Sequence, residues 1–169
     1  GGRIDNAQLR EILADSISDC KDRLKKVLLL VPDYTRYHSN AGAIANTYYH
    51  LLKNHCQVDL LEALGTHVPM TAEQIADMYG DIPQERFLIH NWRTGVVKIG
   101  QVPREFVSEV SEGVYNEPVD VEVSRYFYGG YDLILSIGQV VPHEVVGMAN
   151  QAKNIFVGCG GSSMINSSH

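Results

Sequence analysis

Three apolar segments of this chain each run into polar residues of catalytic type. Val27–Val31 leads into Pro32-Asp33-Tyr34-Thr35-Arg36-Tyr37-His38-Ser39. Val58–Leu64 leads into Gly65-Thr66-His67, and Tyr131–Gly138 into Gln139-Val140-Val141-Pro142-His143. A guanidinium such as Arg36 binds a carboxylate through two parallel hydrogen bonds. It could equally pair with Asp33 on the surface. Two histidines on neighbouring segments, His67 and His143, suit acid/base work on two faces of one substrate, because imidazole titrates near neutral pH. Taken singly, His67 reads as an exposed loop residue and His143, before Glu144, as a helix cap. What favours function is that Asp, Arg and His recur after three equivalent segments. His38 fits a bystander or a secondary ligand, and His50 and His55 fit structural or solvated positions.

Other motifs carry less. Gly158-Cys159-Gly160-Gly161-Ser162-Ser163 invites a phosphate-loop reading, but it lacks the Gly-Lys-Ser/Thr of a Walker motif and the acidic residue of a dinucleotide fingerprint. Cys159 could be a ligand or nucleophile, and a buried thiol is the simpler reading. There is no His-x-x-x-His on a helix and no Cys/His quartet of zinc-site spacing.

The elements that would position these residues alternate. Residues 6–19 predict an amphipathic helix through Leu9, Ile12, Leu13 and Ile17, capped by Asp5 or Asn6. Val27–Val31 is apolar on both faces, as in a strand buried between helical layers. Residues 40–54 predict a second helix and Val58–Leu64 a second strand. Thr71-Ala72-Glu73-Gln74 is a capping box opening a helix to Tyr79. Phe87–Ile89 predicts a short strand ending at His90-Asn91-Trp92. Val96–Val102 and Val119–Val123 alternate like half-exposed strands of a local hairpin. Tyr131–Gly138 returns to the buried style, a short helix is expected after Pro142, and Ser162–His169 reads as the start of another helix. No repeat, linker or interdomain boundary is visible. Together these predict an α/β, Rossmann-like layered domain, its largely parallel sheet flanked by helices. Ligands of such sheets bind outside the strands' carboxyl ends, where the helix after Arg36 would also offer free amides to an anion.

Composition narrows the classes. The 169 residues carry 14 Lys+Arg against 20 Asp+Glu, a net charge of −6. That balance argues against nucleic acid as the main partner, which usually needs a basic stripe. The longest apolar run is far too short for a bilayer, so no membrane partner is expected. Three widely spaced cysteines, Cys20, Cys56 and Cys159, suit a reducing, cytoplasmic setting better than a disulfide framework. Gly1-Gly2 reads as a cloning scar.

The Asp33-Tyr34-Thr35-Arg36 block, Gly65-Thr66-His67, Pro142-His143, Lys153 and His169 together resemble the N-terminal domain of the lactate racemase family. The spacings of ten residues from His143 to Lys153 and sixteen from Lys153 to His169 are specific parts of the likeness, which runs from about Lys26 to His169. Members are nickel-pincer-nucleotide enzymes that racemise or epimerise 2-hydroxy acids. The resemblance implies that Asp33, Thr35 and Arg36 meet cofactor and substrate, with Arg36 the carboxylate partner. It implies that His67 and His143 are the acid/base pair, Lys153 carries the cofactor covalently, and His169 ligates nickel. In that chemistry C2–H leaves as hydride and a histidine takes the hydroxyl proton. The planar 2-keto acid is then reduced on its other face. Imidazole and sulfur donors suit nickel, and the organic chemistry belongs to the cofactor.

The likeness has two departures. Lactate-racemising members approach the lysine through Ser-Gly-Gly-Ala, whereas this chain has Ala149-Asn150-Gln151-Ala152, which points to a 2-hydroxy acid other than lactate. Members are also much longer, with a domain that closes over the site. Residues 1–169 are therefore expected to be the N-terminal catalytic domain of a longer enzyme, inactive and unloaded on its own. Apolar surface beyond Phe156 is expected to be covered by the remainder or by a homodimer. Cofactor-maturation proteins are implied as partners. Two other classes stay open: a zinc-dependent hydrolase drawing on the seven histidines, and a non-catalytic nucleotide-binding α/β module.

Overall fold

A computed structural model of the chain describes residues 4–143 and 147–168. In chain order they form α1 (Asn6–Ser16), β1 (Lys26–Val31), α2 (Ala41–Leu52), β2 (Gln57–Glu62), α3 (Ala72–Tyr79) and β3 (Phe87–Leu88). There follow β4 (Val96–Val102), α4 (Arg104–Val110), β5 (Val119–Ser124), β6 (Leu133–Ser136), β7 (Pro142–His143), β8 (Gly147–Met148) and α5 (Ser162–Ser168). They gather into two compact units. The first takes the chain up to Leu61, Met70–Leu88 and Gly130–Gln139, and the second takes Glu62–Pro69, Ile89–Gly129 and the chain from Val140. No linker marks the division because the chain passes between the units repeatedly, and each passage lies inside or beside an ordered element.

The first unit is an α/β layer. Its four parallel strands run in the order β3-β2-β1-β6. β1 is central, and Val27 through Val31 are fully buried, as expected for a strand covered on both faces. On one face Val27, Leu29, Val31 and Leu60 pack with Leu13 of α1, Ala45 and Leu52 of α2, and Ile75 and Tyr79 of α3. Each such Leu, Ile or Val contributes about 2 kcal/mol by leaving water. Gly42 permits the close approach of α2 to α3, since a Cβ there would lie 1.9 Å from the Met78 carbonyl oxygen.

The predicted capping box of α3 forms, and at α1 the N-cap is Asp5, which also makes a capping box. Asp5 accepts from the Gln8 amide at 2.8 Å, and the Thr71 hydroxyl accepts from the Gln74 amide at 3.3 Å. α1 stops at Ser16 rather than residue 19, yet Ile17 just beyond it is still buried in the core. β6 differs from the buried strand expected. It lies at the sheet edge, so alternate residues are half open and Ile134 is 37% exposed. Its start is fixed by the Asp132 carboxylate, which accepts from the amides of Lys25 (2.8 Å) and Lys26 (2.9 Å). Those two bonds hold the carboxyl below its ordinary pKa.

In the second unit β4 and β5 pair antiparallel from Val96↔Ser124 to Val102↔Val119, with an irregularity between Lys98 and Gly100. They pair with each other as the local hairpin expected, with α4 inserted in the connection between them. After Pro142 the chain first makes the β7–β8 pair, with His143 opposite Gly147, and the short helical stretch expected there comes later, from Ala152. Gly147 has a left-handed φ of 77°, and the Ala149 amide closes the pair on the Val141 carbonyl at 2.8 Å. α5 forms where a helix start was read, with Ile165 buried. Beyond Phe156 the side chains of Val157 and Ile165 are buried, so the apolar surface expected there is not what the described residues present. Among the described residues no helix is long and apolar enough to cross a membrane.

Candidate functional site

In chain order Asp33–Arg36 follows β1, Gly65–His67 follows β2 and His143 comes after β6, the first segment in the first unit and the other two in the second. In the first unit, Asp33 starts a 3₁₀ stretch over Tyr34–Ser39. Its buried carboxylate accepts from the Thr35 amide at 3.0 Å and from the Thr35 hydroxyl. The Arg36 amide closes the turn on the Asp33 carbonyl at 3.1 Å. Asp33 is thus engaged with Thr35, and the surface Asp33–Arg36 ion pair considered above does not form. Arg36 is exposed, and its guanidinium makes no hydrogen bond or ion pair with any described residue. Tyr34 anchors the turn by donating to Asp77 at 2.6 Å, and that bond raises the phenol above its ordinary pKa. The first amide of α2, at Ala41, is taken by the Ser39 hydroxyl at 3.2 Å.

The second unit holds the other predicted residues. His67 is exposed on a loop whose turn is closed by its own amide on Leu64 (2.9 Å). Gly65, with φ 56°, donates to the Gly158 carbonyl at 2.8 Å, which ties this loop to the segment after Lys153. His143 is half-buried on β7. Lys153 is half-buried at the start of a wide turn over Asn154–Gly158, closed by the Cys159 amide on the Asn154 carbonyl at 2.8 Å. The approach to it is unusual. Asn150 (φ 63°) and Gln151 (φ 50°) are both left-handed, at the two positions where the resemblance has glycine. Asparagine tolerates that region, whereas glutamine pays about 1 kcal/mol for it. Asn154 supports Asn150 side chain to side chain at 2.8 Å.

Lys153 lines a cavity of about 340 Å³ together with Met148, Asn150, Gln151, Phe156 and Ser168. That volume is at the small end of ligand sites. His169 lies outside the described residues, immediately after Ser168. Among the described residues no three His, Cys, Asp or Glu side chains gather as a metal site, so the ligand set of the zinc-hydrolase reading is not assembled there. Cys159 is fully buried and burial pushes its thiol up to about 12, which makes it a core residue rather than a nucleophile.

His90, in the second unit, reads in the sequence only as the end of a strand. His90 is only 4% exposed, and its Nε2 lies 2.8 Å from the Gly160 carbonyl. A carbonyl only accepts, so Nε2 carries the proton and Nδ1 is the bare acceptor. Nδ1 is buried with no hydrogen-bond partner. Burial holds the imidazole below its ordinary pKa. The only signal in sequence is a histidine directly after the apolar Phe87–Ile89.

An all-parallel α/β layer in the first unit, followed along the chain by a second unit with a cavity lined by Lys153, places the protein in the layered α/β class. The chain belongs to the lactate racemase N-terminal domain family, whose profile matches residues 3–169. A crystal structure of a Thermotoga maritima protein is similar over 100% of this chain and 41% of its own, with TM-score 0.89 and 28% identity. The lactate racemase apoprotein of Thermoanaerobacterium thermosaccharolyticum shares the fold over 96% of this chain and 39% of its own, with TM-score 0.69 and 18% identity. The chain therefore spans about two fifths of either structure. No curated protein sequence matches it.

Proposed function

We propose that this chain is the cofactor- and substrate-binding part of a cytoplasmic 2-hydroxy acid racemase or epimerase working with a nickel-pincer nucleotide. The observation that carries the reading is Lys153 on the wall of its cavity, in a chain of the lactate racemase N-terminal domain family. Lys153 would hold the nucleotide and His169 would ligate its nickel. When bound, that group supplies an acceptor for the hydride at C2.

The rest falls to the chain's own residues. Arg36, exposed and without a partner among the described residues, binds the substrate carboxylate through its planar fork. Asp33 and Thr35 hold the turn that carries it. His67 and His143 take and return the hydroxyl proton, one serving each face, so that their roles exchange with the direction of reaction. Asn150 and Gln151 line the cavity beside Lys153, and their polar side chains favour a hydroxy acid other than lactate. Maturation proteins that install the cofactor are the implied partners.

The test is intact-mass analysis of the full-length enzyme, co-expressed with such maturation proteins, beside a Lys153→Ala variant. Extra mass on the wild type and none on the variant is expected, with inversion of a 2-hydroxy acid by the wild type alone. Inversion that persists in Lys153→Ala overturns the reading.

A further inference from the structure

The Lys153 cavity is built from two pieces of chain. One runs from Met148 through the turn to Val157, and the other is the end of α5, at Ser168. What joins them is the short segment Cys159-Gly160-Gly161, so the cavity's shape depends on where that segment is held. β5 holds one side of it: the Ser124 amide donates to the Cys159 carbonyl at 2.7 Å, and Val123 bridges to Gly160. The other hold is His90, through Nε2–H on the Gly160 carbonyl. There is no slack at this point. A Cβ at Gly160 would lie 2.0 Å from the Phe156 carbonyl oxygen, and one at Gly161 would lie 2.1 Å from a Glu122 carboxylate oxygen.

An imidazole is an expensive way to fill such a place. Its Nδ1 is buried with no partner, so an apolar side chain of similar size would avoid an unsatisfied acceptor. What an apolar side chain of that size lacks is the donor that His90 presents to the Gly160 carbonyl. We infer that His90 is a positioning residue: its bond to Gly160 sets the segment that joins the Lys153 turn to α5, and so the environment of the Lys153 amine. Its meaning for catalysis rests on the reading of that cavity as the cofactor site, but its geometry does not.

The experiment compares His90→Gln with His90→Asn in the chain as it stands. Glutamine places an amide N–H where Nε2 lies and keeps the bond, whereas asparagine ends near Nδ1 and cannot reach. Both are polar and uncharged, so general loosening of the interior affects them alike. The readout is pulse acetylation of Lys153 by mass spectrometry, taken as a ratio to Lys98, which belongs to the same unit and pairs with Asp120 at 2.7 Å. His90→Asn is expected to change that ratio about fivefold, the scale of one lost hydrogen bond. His90→Gln should stay near wild type. His90→Leu is a third arm, expected to follow asparagine. A wild-type ratio in folded His90→Asn overturns the inference, and so does a glutamine variant that behaves like asparagine. No cofactor is needed, so absence of an adduct on Lys153 in the full-length enzyme would sink the functional proposal and leave this result standing.

Discussion

The Gly65 amide donates to the Gly158 carbonyl across 2.8 Å, and through that bond the loop carrying His67 is fixed to the turn that Lys153 begins. The contact is tight because Gly158 has no side chain. A Cβ there would lie 2.9 Å from the Ala63 Cβ and 3.2 Å from the Ala63 carbonyl oxygen. Gly158→Ala is therefore expected to cost about 1–3 kcal/mol by overpacking. Urea unfolding measures the cost, and faster hydrogen exchange at the Gly65 amide would locate it. Adding Ala63→Gly should recover part of the loss, because it removes the nearer atom. A neutral Gly158→Ala would mean the two segments are not in this contact.

The second prediction concerns pH. Burial holds His90 below its ordinary value of 6.5, so the folded chain keeps it neutral while the unfolded chain takes up a proton. Stability from this group is complete above pH 6.5. It falls as pH drops from 6.5 towards the folded value, by at most about 1.4 kcal/mol per pH unit for one proton. Denaturation midpoints between pH 7.5 and 5 should show the decline, and His90→Gln, which does not titrate, should flatten it. An identical slope in the variant would assign the decline to other groups.

The sequence was most legible where one local rule acted alone. The unbroken Val27–Val31 run marked the central strand, and Thr71 with Gln74 marked the start of α3. It was least legible where placement depended on partners far along the chain. The Leu133–Leu135 run looks buried, but only the strand order puts β6 at an edge. α4 buries Val107 alone, so it leaves no apolar stripe to read. The strands β7 and β8, two residues each, have no period at all. For the candidate site, residue types and spacing proposed Asp33, Arg36, His67 and His143, and resemblance proposed Thr35, Lys153 and His169. His90 was missed because its role depends on Gly160, 70 positions away. Glu62, only 1% exposed at the end of β2, was missed as well, since nothing local marks a buried acid.

Thiol chemistry offers a check on the second unit. Cys159 is fully buried with its thiol pushed up to about 12, whereas Cys20 and Cys56 are partly open. Only a thiolate alkylates, and only when a reagent can reach it. Under native conditions iodoacetamide should label Cys20 and Cys56 first, with Cys159 following only as the second unit opens. Peptide mapping after timed quenching separates the three. Labelling of Cys159 at the rate of Cys20 would show that the Cys159–Gly161 segment is not packed as described.

The remaining prediction is about the substrate's carboxylate. Arg36 lies on a turn fixed by Asp33 and Thr35, yet its guanidinium is exposed and makes no bond with any described residue. A side chain carried on an ordered turn with its charge unspent is suited to an anion from outside. A guanidinium meets a carboxylate at two points and fixes its plane, whereas an ammonium meets it as a point charge and leaves the plane free. Arg36→Lys in the full-length enzyme should therefore lower kcat/KM for a 2-hydroxy acid by at least about tenfold, although the charge is kept. The fold should not change, because the Asp33–Thr35 bonds do not involve the side chain replaced. Racemisation followed by polarimetry, beside a circular dichroism spectrum of the same sample, makes the comparison. Turnover close to wild type in a folded Arg36→Lys enzyme would remove Arg36 as the carboxylate clamp and send the search to another cation.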